Sequence, residues 1–145
     1  LSGYEGIMIR HPDMPYKFGR STLNESGVIK FKRFTDSEGM VEEILEGVIN
    51  TNEIQRDALG HAKRSSHTEN MTPSNMVGTL FVRDLKTNKR VRVSPGRMPH
   101  DMRHHFWKNP HELMGNIVKY KWFDYNTLDA PRFATFQAFR DAEDL

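Results

Sequence analysis

The stretch "VGTLFVRDLKTNKRVRVSPG", residues 77–96, decides how this chain is read. Two runs of alternating apolar and polar side chains flank "KTNK" (86–89). Strand side chains alternate between faces, so each run offers one face to a core and one to water. The polar break between the runs makes the pair a β-hairpin.

After the hairpin the period changes. "PHDMRHHFWKNP" (99–110) reads as a helix, with Pro99 near its first turn and Asn109-Pro110 ending it. Asn109 is expected to cap a second short turn, "PHELMG" (110–115), stopped by Gly115. "NIVKYKWFDYN" (116–126) and "PRFATFQAFRD" (131–141) read as two closing strands. Ahead of the hairpin, "GMVEEILEGVIN" (39–50) reads as a strand interrupted by Gly47, and the polar residues 51–76 as a long loop. Strand, hairpin, helix, strand, strand is compatible with a mainly β fold, a five-stranded oligonucleotide-binding (OB) barrel with a helix before its fourth strand, and the pattern alone also admits another small α+β fold.

The first 35 residues are of another kind. "EGIMIRH" (5–11) and "GVIKFKRF" (27–34) read as strands joined by the turn-rich "PDMPYKFGRSTLNESG" (12–27). Two strands bury too little to offset their ordering entropy, so they are expected to be the end of a larger domain. In the second strand Lys30 and Lys32 share one face, while Ile29 and Phe31 share the other and are expected to anchor it in a core.

Composition narrows the function. The chain has 145 residues, 37% hydrophobic and 28% charged, and no cysteine, which excludes disulfides and cysteine-ligated zinc. No apolar run is long enough to span a bilayer. "DSEGMVEEILE" (36–46) is acidic, whereas residues 77–123 carry ten Lys and Arg against three acids, an excess of 10 − 3 = 7 positive charges suited to phosphate. His100 and His104 stand at the helical i, i+4 spacing of a zinc pair, but they lack the glutamate of a zinc-protease helix and no third ligand is obvious. Phe106, Trp107, Trp122 and Phe123 read as core rather than as base-stacking groups.

"EGIMIR" (5–10), "YKFGRSTL" (16–23) and "IKFKRF" (29–34), followed by "KRSSH" (63–67), "FWKNPHELMGNIVKYKWF" (106–123) and "PRFATFQAFRD", occur in an order that resembles the C-terminal half of ATP-dependent DNA ligases of the minimal virus and phage type. The resemblance implies that residues 1–35 end a nucleotidyltransferase (adenylation) domain and that 36–145 form an OB-fold DNA-binding domain. It implies nick sealing: AMP passes from ATP to an enzyme lysine, then to a DNA 5′-phosphate, and a 3′-hydroxyl displaces it. ATP and Mg²⁺ are the implied cofactors. Glu5 would hold the metal, Lys30 and Lys32 would meet the phosphates of ATP and the adenylate, and Lys17 and Arg20 would grip the DNA 5′-phosphate. Arg132 and Arg140 would orient the pyrophosphate leaving group. Lys63 and Arg64 would contact DNA from the 51–76 loop.

The implied partners are nicked duplex DNA and an upstream nucleotidyltransferase segment. The intact enzyme is expected to be a monomer inside the cell, with no membrane association, working in replication, repair or recombination. An mRNA-capping guanylyltransferase shares the domain plan, and a non-catalytic OB module is the third reading. The family's nucleophile is the lysine of a K-x-D-G motif, which this sequence does not contain. Incubated alone with labelled ATP, the chain is therefore expected to carry no covalent label. A gel-stable label on it would contradict the assignment.

Overall fold

The computed structural model describes residues 4–19, 21–58, 60–124 and 129–141. They fall into two compact units, Leu1–Thr35 and Asp36–Leu145.

In the N-terminal unit, β1 (Gly6–Arg10) pairs antiparallel with β2 (Val28–Lys32), matching Met8 with Lys30 and Ile7 with Phe31. Directly opposed residues point to one face. Met8, Arg10, Lys30 and Lys32 therefore share a face, and Ile7, Ile9, Ile29 and Phe31 the other. The expected burial of Phe31 is not found. Ile29 is half-buried, but Phe31 is 56% exposed, and Ile7 and Ile9 are about as open. The physical reason is that the hairpin's own connection does not cover that face.

The C-terminal unit is built on a five-stranded sheet in the order β7-β6-β3-β8-β9. Its members are β3 (Thr35–Asn50), β6 (Met71–Asp84), β7 (Arg90–Val93), β8 (Ile117–Trp122) and β9 (Thr135–Arg140). Its two edges meet where Ser94 bridges Thr135 in parallel. There Ser94 N–H donates to Ala134 O and Phe136 N–H to Ser94 O, each at 2.9 Å. An OB-type barrel results, and α1 (His100–Lys108) lies in sequence between the third and fourth of these strands.

Alternation explains the core. Leu80 and Val82 of β6, Val91 and Val93 of β7, Val118, Tyr120 and Trp122 of β8, and Phe136 of β9 point inward. Met102, Phe106 and Trp107 of α1 pack against them, as does Phe139. Phe123 is half-buried and meets the ring of Phe133 edge-on.

β3 runs straight through Gly47 and starts four residues earlier than expected, with register shifts against β6 between Val41 and Glu43 and around Glu46. At Gly47 the two strands nearly touch. A Cβ on Gly78 would overlap the Gly47 Cα, and one on Gly47 would lie 2.7 Å from Ser74 Oγ. Only glycine allows backbones this close, which lets a long strand bend around the barrel.

Two expectations need correction. Residues 51–76 are not a bare loop. They hold a second hairpin, β4 (Ile54–Arg56) with β5 (Ala62–Arg64), a 3₁₀ turn at Thr68–Asn70, and the start of β6. Each of these short strands is exposed at every position, so no alternation announces them. Nor does Asn109 cap the turn at Pro110–Glu112. Its side chain donates back to His105 O at 3.1 Å, closing α1. Among the described residues no helix is long and apolar enough to cross a membrane.

One buried carboxylate ties the sheet together. Asp84, at the end of β6, accepts the Tyr120 hydroxyl at 2.5 Å through Oδ2. Its Oδ1 accepts Thr87 N–H at 2.7 Å, Thr87 Oγ1 at 2.9 Å and Lys86 N–H at 3.0 Å. Burial alone would raise the Asp84 carboxyl, but these hydrogen bonds, Tyr120 first, outweigh it and hold the group below its ordinary value. A depressed carboxyl contributes stability above its unfolded value, 3.8, and that contribution is lost as pH falls through the lower folded value. Tyr120→Phe and Asp84→Asn should each cost about 1–3 kcal/mol at pH 7. Thermal melts from pH 7 to 3 should show wild type converging on Asp84→Asn as the pH drops. A constant gap would contradict this role.

Candidate functional site

Each unit presents a basic cleft. In the N-terminal unit, Lys30 and Arg10 look out from the same hairpin face into an open cleft of about 910 Å³. The 11–27 connection supplies the remaining wall, including Met14, Tyr16, Lys17 and Glu25. Lys17 Nζ donates to both oxygens of Glu25, at 2.5 and 2.7 Å, and Thr22 N–H donates to Glu25 Oε2 at 2.9 Å. Lys17, then Thr22, lowers the Glu25 carboxyl to about 2, so it is anionic at any physiological pH. Arg20 lies outside the described residues.

Lys32 stands on the same face as Lys30 but forms an ion pair with Glu5, and neither residue lines the cleft. The structure thus brings Lys30 together with Lys17, and Lys32 together with Glu5. Among the described residues no group of three His, Asp or Glu side chains forms a metal cage. Glu5 is a single carboxylate with a lysine beside it. That donor set fits a metal completed by substrate phosphates and water, as Mg²⁺ usually is.

Sequence reasoning missed Arg10 and Glu25. Arg10 has the same two-residue phase as Met8, a signal that exists once β1 is paired. Glu25 reaches Lys17 through the fold of a turn, which no periodicity encodes.

In the C-terminal unit, a cleft of about 800 Å³ opens where β7 and β9 meet. Arg90 and Arg92 of β7, Phe81 of β6, and Arg132 and Phe133 line it. The Arg90 guanidinium lies 4.1 Å from the Phe81 ring centroid, and Arg132 lies 5.4 Å from that of Phe133. Phe133 is 67% exposed and has φ +54°, a backbone state a bulky residue adopts only when its neighbours impose it. Two backbone hydrogen bonds hold the turn: Phe123 N–H donates to Arg132 O at 2.9 Å, and Arg132 N–H to Asp124 O at 3.0 Å.

Arg140 does not join this cleft. Its Nε donates to Glu38 Oε1 at 2.9 Å on β3. The same strand draws cations from every other member of the sheet. Glu42 takes Arg83 in a two-point contact at 2.8 and 3.2 Å, Glu43 takes Arg90, and Asp36 takes Lys119 at 2.7 Å. Three of the ten cations between residues 77 and 123, Arg83, Arg90 and Lys119, therefore pair with the acidic run 36–46. Arg92 and Arg132 keep no carboxylate partner among the described residues.

On the β4–β5 hairpin, Lys63 is exposed and paired in register with Gln55. Arg64 is engaged instead, donating to Asn52 O at 2.7 Å and Asn50 O at 3.2 Å. Buried Asn52 locks the base of the hairpin through Ser65 O, His67 O and the Asn70 amide. On α1, His104 donates to Asn75 O at 2.6 Å and His105 pairs with Glu112 at 2.6 Å, so both act as anchors of the helix.

Residues 70–140 match the family model of the DNA ligase OB-like domain. The solved Chlorella virus DNA ligase-adenylate is similar at 30% identity and a TM-score of 0.54, over 98% of this chain and 43% of that one. A structure from work on Lig E DNA ligases, described as "DNA binding with a minimal scaffold", shares 24% identity and a TM-score of 0.63, over 96% of this chain and 41% of that one. The structure called "Pmar-Lig_Pre." shares 21% identity and a TM-score of 0.67, over 95% of this chain and 27% of that one. The last two likenesses establish the fold. The chain spans less than half the length of each of these proteins. No curated protein matches its sequence. The two clefts are where a ligand has room.

Proposed function

We propose that this chain is the C-terminal portion of an ATP-dependent DNA ligase, the portion that holds phosphate groups while a nick in duplex DNA is sealed. The observation that carries the reading is Lys30, set by the β1–β2 register on one face with Arg10 and opening on a cleft with Lys17. The ligase OB-like domain over residues 70–140 and the likeness to a DNA ligase-adenylate over nearly the whole chain support it.

Phosphoryl transfer needs position and charge neutralisation more than covalent chemistry. Lys30, on a rigid strand, holds its cation at a fixed place against an adenylate phosphate. Lys32 takes the second place on that face once a phosphate competes for its ammonium or a metal competes for Glu5. Mg²⁺ when bound supplies further neutralisation of phosphate charge, with Glu5 as one oxygen ligand. Lys17, with Arg20 as expected from sequence, grips the 5′-phosphate of the nick.

In the C-terminal unit Arg132 is the arginine available to a phosphate, and Arg140 is available only by releasing Glu38. Arg92, Arg132 and the exposed ring of Phe133 give duplex DNA a basic and aromatic surface. Lys63 extends that surface onto the β4–β5 hairpin, which Arg64 stiffens from below. The nucleophilic lysine comes from an upstream nucleotidyltransferase segment.

The test joins the chain to a segment bearing a K-x-D-G lysine and measures sealing of a nicked duplex with ATP. Lys30→Ala should slow sealing by about a hundredfold, with affinity for nicked DNA largely retained. Normal sealing by this variant would refute the strand's role. Uptake of GTP in place of ATP would assign the chain to capping enzymes instead.

A further inference from the structure

Glu25 is the one carboxylate among the residues lining the N-terminal cleft, where three cations, Arg10, Lys17 and Lys30, also stand. A carboxylate in a phosphate-binding cleft repels its ligand unless it does something else. Here it is built in rather than loosely paired. Thr22 N–H donates to it, and the turn carrying it is closed by Ser26 N–H to Leu23 O at 3.2 Å, with Ser26 at φ +54°. Val28 N–H to Ser21 Oγ, also 3.2 Å, ties the same turn to β2.

Lys17 is flexible by nature, with a long stem and three N–H donors. Two of those donors meet the two oxygens of Glu25, which fixes the stem and leaves the third N–H free.

We propose that Glu25 is a positioning residue for Lys17, fixing its ammonium where it receives a terminal phosphate at the nick. The inference rests on the phosphate-gripping role of Lys17 proposed above.

The experiment compares affinity of this protein for two nicked duplexes, one with a 5′-phosphate and one with a 5′-hydroxyl at the nick. Wild type prefers the phosphate. Glu25→Gln, nearly the same shape, should reduce that preference by about three- to fivefold and leave binding to the hydroxyl nick unchanged. Lys17→Ala should reduce it at least as much, and the double variant no further than Lys17→Ala alone. An undiminished or larger preference in Glu25→Gln, with Lys17→Ala reducing it, would overturn the role of Glu25 while the reading of Lys17 stands. A parallel fall on both nicks would make Glu25 a folding residue and also overturn the proposal. A preference untouched by Lys17→Ala would remove the reading beneath it.

Discussion

Where the carboxylates sit decides which cations of this chain are left for phosphate. The sequence carries 21 Lys and Arg against 19 Asp and Glu, so almost every cation has a possible partner. The fold assigns them unevenly. β3, in the middle of the sheet, holds Arg83, Arg90, Lys119 and Arg140 through Glu42, Glu43, Asp36 and Glu38. Each pair is half exposed and worth at most about 1 kcal/mol. Together they orient four long side chains and remove four charges from the field a ligand meets. Glu5 does the same for Lys32, and Glu25 turns the same chemistry to a different use at Lys17. Along the two clefts, Arg10, Lys30, Arg92 and Arg132 form no carboxylate ion pair among the described residues.

Barrel closure then gathers some of these free cations. The bridge from Ser94 to Thr135 sets the end of β7 beside the start of β9, which brings Arg92 to the same cleft as Arg132 although forty residues separate them. Closure requires β3 to bend, and the bend requires Gly47 and Gly78 at the crossing. The Asp84–Tyr120 hydrogen bond locks β6 to β8 on the inside. Packing, backbone and electrostatics thus converge on one surface, with Phe81 and Phe133 as its flat apolar elements. Such a surface suits a nucleic acid, whose phosphates and stacked bases need both.

The parts of the fold that were legible in the sequence are those with a strong period. The 77–96 hairpin, α1 and the two last strands follow from alternation, a helical stretch and the prolines around it. The β4–β5 hairpin was not legible, because three-residue strands exposed on both faces have no apolar face to reveal them. The early start of β3 at Thr35 was hidden by its polar side chains. At the site, the shared face of Lys30 and Lys32 follows from spacing alone, but their different surroundings do not. Ion pairs such as Lys32 with Glu5, or Arg140 with Glu38 across 102 residues, depend on tertiary folding. The positive charge counted along residues 77–123 divides between ion pairs and open surface for the same reason. A one-dimensional count cannot tell an arginine facing solvent from one facing the acids of β3.

The most direct test of this division between engaged and free cations is the salt dependence of binding to nicked duplex DNA. The logarithm of affinity falls linearly with the logarithm of salt concentration, with a slope set by the number of phosphates neutralised. Arg92→Ala and Arg132→Ala should each reduce the slope by about one, while Arg83→Ala and Arg140→Ala leave it unchanged. Equal reductions in all four variants, or a loss confined to Arg83 and Arg140, would contradict the account.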